Sequence, residues 1–70
     1  MNAPELRSEI ARAGKTYGQC AEVMGISPAS FGRKMQGQTE FKNSEIKTIA
    51  AFIGLGLDAV NRIFFDEEVN

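Results

Sequence analysis

Histidine is absent from this 70-residue chain and cysteine occurs once. Without histidine there is no imidazole to act as general acid or base near neutral pH, and a single thiol can neither close a disulfide nor supply the several Cys and His ligands of a zinc site. Cys20 suits a reducing compartment, and its apolar surroundings fit a small buried hydrophobe rather than a redox switch, since nothing beside it favours a thiolate. Proline is scarce, with two residues, and no stretch shows the dense β-branched alternation of a sandwich or barrel. No apolar run approaches the roughly 20 residues that a membrane-crossing helix needs, and MNAPELRSEIAR lacks the apolar centre of a signal peptide. The scattered glycines match no G-x-G-x-x-G after a strand. These gaps predict a cytoplasmic protein that is not an enzyme and carries no cofactor or metal, with no small-molecule ligand evident.

What recurs in every segment is apolar residues at helical spacing. A chain this short builds one small core of marginal stability, so a single domain over residues 1–70 is expected, with its core at about 4–65 and an acidic tail at 66–70. The first helix is read from about Pro4 to Ala13, capped by Asn2 and closed by Gly14. Leu6 and Ile10 form its inner stripe, and Glu5 and Glu9 are placed to pair with Arg12 and its neighbours. Further on, a helix from about Ser44 to Ile53 turns Ile46, Ile49, Ala50 and Ile53 inward, with Asn43 or Ser44 as its cap. Gly54 and Gly56 then bracket a stop and restart into a last helix, Leu57 to Phe65, whose apolar face carries Val60, Ile63 and Phe64.

Between these lies the most informative stretch, Thr16 to Gly37. Thr16 can cap a helix whose Cys20, Ala21 and Met24 make one buried stripe; Gly25 tolerates the left-handed backbone that ends it, with Ile26 as the accompanying apolar contact. Ser27 followed by Pro28 starts a second helix, because the hydroxyl accepts an orphan N–H and proline at the first position lacks only an unpaired one. Phe31 and Met35, four apart, are its buried side. That is the pattern of a helix-turn-helix.

Through Ala21, Gly25, Ile26, Phe31, Met35 and Gly37 the chain resembles the lambda-repressor-like helix-turn-helix family of phage and bacterial regulators, and residues 41–50 and 53–65 are similar to the fourth and fifth helices of its small members. The resemblance covers about residues 4–65. It implies an all-α, five-helix domain with the motif at about 16–37, and a Cro-like repressor whose second motif helix enters the DNA major groove. On that reading the base-reading positions are Pro28, Ala29, Ser30 and Arg33. Arg33 can grip guanine O6 and N7 with its planar fork or remain a charge on phosphate, while Pro28 can touch thymine methyls or serve only to start the helix. Candidate phosphate contacts are Lys15, Thr16, Tyr17, Gln19 and Ser27 around the two helix starts, and Lys34, Gln38, Thr39, Lys42 and Asn43 on and after the second helix. Tyr17 can offer its hydroxyl or pack as a half-buried ring. The chain departs from the pattern at Gly18 and Gly32 inside the motif helices, each costing about 1 kcal/mol relative to alanine, and at Cys20, where a larger aliphatic is usual.

Charge is unevenly spread about a net −1. From Lys15 to Asn43 the four cations Lys15, Arg33, Lys34 and Lys42 outnumber Glu22 and Glu40, whereas from Ser44 onward acids prevail. So few cations predict weak non-specific binding and a need for a second subunit. Leu57, Phe64 and Phe65 are the expected homodimer contacts, with Leu55 and Val69 as further apolar surplus. The other class open to such a chain is a protein-interaction module, such as an antirepressor, an antitoxin or a regulator's partner.

Overall fold

A computed structural model describes residues 1–65, and the acidic stretch 66–70, Val69 included, lies outside the described residues. Five helices follow one another: α1 Ala3–Arg12, α2 Tyr17–Met24, α3 Pro28–Met35, α4 Asn43–Ile53 and α5 Leu57–Phe64. Among the described residues there is no strand, so the fold is all-α.

Local chemistry accounts for most of the boundaries. The Asn2 side chain accepts the Glu5 N–H at 3.1 Å and opens α1. Gly25, with φ +72°, lets the Ile26 N–H return to the Ala21 carbonyl at 3.0 Å and close α2. The start of α4 differs from the sequence expectation. Neither Asn43 nor Ser44 caps it; Lys42 occupies the cap position, and the Glu45 carboxylate reaches back to accept the Lys42 N–H at 2.8 Å. A carboxylate at the third helical position satisfies an orphan donor without help from a capping hydroxyl.

The core gathers Leu6 and Ile10 of α1, Cys20 and Ala21 of α2, Phe31 and Met35 of α3, Ile49 and Ile53 of α4 and Ile63 of α5. Aromatic rings run through it edge to face, Tyr17 on Phe31 at 5.2 Å between centroids, Phe31 on Phe41 at 6.0 Å and Phe41 on Phe64 at 5.4 Å. α1 and α5 are tied by the Asn2 N–H on the Ile63 carbonyl at 2.6 Å and by Arg62 Nε on Glu5 at 2.7 Å. Arg62 thus takes a carboxylate that the sequence pairs with Arg12 and its neighbours, and Arg12 bonds Glu9 at 3.3 Å. No described helix is long and apolar enough to cross a membrane.

Candidate nucleic-acid interface

The site residues expected from the sequence fall on the starts of α2 and α3 and on the loop after α3, and the loop shares a groove with the exposed side of α3. At the first start, Thr16 Oγ1 accepts the Gln19 N–H at 3.0 Å and the Gln19 side-chain oxygen accepts the Thr16 N–H at 2.9 Å, a reciprocal capping box that fixes the entry into α2. Tyr17 packs its ring on Phe31, yet the residue keeps 37% of its surface exposed and its hydroxyl accepts from Arg7 Nε at 3.2 Å. Arg7 is a cation beside this helix start that sequence patterning leaves as a mere outer-face residue of α1. Its proximity to Tyr17 depends on how α1 packs, and no local signal carries that.

At the second start, Ser27 Oγ accepts the Ser30 N–H at 3.1 Å and Pro28 supplies the first helical residue. Pro28, Ala29 and Arg33 are exposed, and Ser30 and Gly32 are partly so. A Cβ built at Gly32 would meet nothing within 4 Å, so no internal contact requires glycine there and the outer face of α3 stays shallow. Along this face Ser27 Oγ donates to Ser30 Oγ at 3.1 Å and Arg33 Nη2 donates to the same oxygen at 3.1 Å.

The loop after α3 begins at Gly37, whose φ of +80° lets the Gln38 N–H return to the Arg33 carbonyl at 2.9 Å. Gln38, Thr39 and Lys42 are exposed on it and Asn43 at the first position of α4, with the Gln38 amide bonded to Gln36 at 2.7 Å. A groove of about 390 Å³ separates loop from helix, lined by Ser30, Arg33, Thr39, Glu40 and Lys42 among others.

Lys34 must be removed from the phosphate candidates. It is 8% exposed; its ammonium donates to the Glu40 carbonyl at 3.0 Å, pairs with Glu45 at 3.1 Å and lies 5.9 Å from the centre of the Phe41 ring. Three residues beyond Phe31, its side chain follows the buried stripe of α3 inward, and the charge is consumed inside the fold. Burial pushes the Glu45 carboxyl up, but the Lys42 N–H and the Lys34 ammonium outweigh it and hold the group below its ordinary value. Lys15 also has an intramolecular partner, its ammonium 4.8 Å from the centre of the Phe52 ring.

Away from this face, Leu57 and Phe65 stand out with 74% and 47% of their surface exposed. They edge an apolar groove of about 590 Å³ between α4 and α5, shared with Ile46, Ala50, Ala51 and Leu55. Phe64 is different from its neighbour: it is half-buried, and its ring packs on Phe41 and the core, while Phe65 is the more exposed of the two. Consecutive residues of a helix point about 100° apart, so one of the pair turns in and the other out.

Compared with family models, with curated proteins and with solved structures, the chain matches none of them.

Proposed function

We propose that the chain is a sequence-specific regulator of the lambda-repressor-like helix-turn-helix type, a Cro-like repressor that binds double-stranded DNA as a homodimer with α3 in the major groove. The observation that carries this reading is the solvent-facing side of α3, where Pro28, Ala29 and Arg33 are exposed after a serine-capped helix start and beside a polar loop. In this arrangement the N–H groups at the start of α2 and the exposed Thr39, Lys42 and Asn43 hold phosphates on either side, and Arg33 meets base edges between them. The Tyr17 hydroxyl and Arg7 add a donor and a charge beside the α2 start. Gln19 and Ser27 act first as caps.

The test is selection of bound duplexes from a random pool with the parent chain and with Arg33→Ala. The parent enriches a two-fold symmetric site containing guanine, and the variant loses the guanine preference, a discrimination of about 1–3 kcal/mol per bidentate contact. Failure of the parent to enrich any duplex overturns the regulator reading.

The second subunit is assigned to the groove edged by Leu57 and Phe65, because a side chain as large as Phe65 and so exposed leaves apolar surface that a partner copy can cover. Phe65→Ser weakens self-association at least tenfold in sedimentation equilibrium, and an unchanged dimerisation constant would exclude that surface. A protein-interaction role is favoured by one feature, the exposed Glu22 and Glu40 on α2 and in the loop after α3, which repel phosphate. Retention on duplex DNA that falls as salt rises separates the two, since only phosphate binding releases counterions.

A further inference from the structure

We infer that Ser30 is the positioning residue for Arg33, holding the guanidinium along α3 in the free protein so that it meets a guanine edge already ordered; the inference rests on the DNA-reading role proposed for α3. Ser27, Ser30 and Arg33 succeed one another at three-residue intervals on one side of the helix, and a single oxygen links them. Ser30 Oγ accepts from Ser27 Oγ at 3.1 Å and from Arg33 Nη2 at 3.1 Å. A hydroxyl oxygen has two lone pairs, so both of its acceptor sites are engaged and neither is left for a base amino group. Only its O–H is left to donate to a base acceptor, and beside any such contact Ser30 acts on the base pair through Arg33.

The guanidinium gives one N–H to this oxygen and keeps the rest of its fork for a bidentate contact. A competing acceptor is close at hand, because Glu40 lines the same groove as Arg33 and Ser30. Without the Ser30 hydroxyl the arginine either swings freely or is drawn to that carboxylate, and in both cases binding must first reorder it.

The substitution that tests this leaves the fold in place. The Ser30 N–H is capped by Ser27 Oγ, a backbone contact that alanine at position 30 retains, and alanine is the better helix former. Two measurements on the full chain are needed: the affinity ratio between the parent's selected duplex and the same duplex with its guanine replaced, and the 15N relaxation of the Arg33 Nε–H without DNA. Ser30→Ala lowers the ratio about three- to tenfold, the size of the ordering cost of one rotamer-rich side chain, and raises the mobility of the Arg33 Nε–H. It leaves the salt dependence unchanged, because no phosphate contact is lost. Ser30→Thr, which keeps the hydroxyl, restores both readouts, and Ser30→Ala added to Arg33→Ala lowers the ratio no further.

An undiminished ratio in Ser30→Ala, or an equal loss when Arg33 is already alanine, overturns the inference. If the parent prefers no duplex, the positioning role falls together with the regulator reading. A preference in the parent with an unaltered ratio in Ser30→Ala brings down the inference alone.

Discussion

Phe31→Ala leaves the chain largely unfolded at room temperature. Phe31 is fully buried, and it is the ring through which α2, α3 and the loop before α4 are joined, with Tyr17 on one edge and Phe41 on another. Truncating a buried phenylalanine costs about 3–5 kcal/mol, from lost transfer energy and from the cavity left behind. Edge-to-face pairs add to that, about 0.5–1.5 kcal/mol each beyond their area. A domain of this size rarely commands more than about 3–5 kcal/mol in total. The loss and the whole stability are therefore of the same order. Far-UV circular dichroism in a urea series checks this: the variant lacks the helical baseline at zero denaturant, and a cooperative transition near the parent's midpoint would show that the rings are not the keystone argued here.

That keystone was half legible in the sequence. The spacing of Phe31 and Met35 marks the buried side of α3, and the caps Asn2, Thr16 and Ser27 and the stop at Gly25 are visible because each works through neighbours within about four residues. The exposed side of α3 follows from the same periodicity, so Pro28, Ala29 and Arg33 are as solvent-facing as the pattern predicts. What was not legible depends on groups far apart in the chain or on how a flexible stem bends. Arg62 reaches Glu5 across 57 residues, Arg7 reaches Tyr17 from another helix, and Phe64 and Phe65 divide between core and solvent according to how α5 is rotated. Lys34 is the instructive error: a lysine next to Arg33 reads as a second surface cation, and the partners that hold its ammonium inside, Glu45 at the start of α4 and the Glu40 carbonyl, are brought to it only by the fold.

Lys34→Ala destabilises the fold by about 3 kcal/mol or more, the order found when one member of a buried ion pair is removed and the other is stranded. Glu45 is 9% exposed, and without the ammonium its charge keeps only the Lys42 N–H as an observed partner. The loop carbonyl of Glu40 loses its donor in the same step, so the segment that carries Thr39 and Lys42 loosens along with α4. The double variant Lys34→Met/Glu45→Gln separates charge from packing. Methionine preserves the apolar stem, glutamine can still accept the Lys42 N–H, and no ion is left buried, so most of the stability returns. Acid gives an independent reading. Because the folded-state carboxyl of Glu45 lies below its unfolded value, its stabilisation is fully present above the unfolded value and disappears as pH falls through the folded one. The parent therefore loses stability as pH falls below the unfolded carboxylate value of about 4.3. Glu5, held down first by its hydrogen bond from Arg62, contributes a loss of the same sign. Glu45→Gln removes the Glu45 part and leaves that of Glu5, so its urea midpoint falls less steeply with acid than the parent's. Equal slopes for parent and variant would mean that the Lys34–Glu45 pair is not formed in solution.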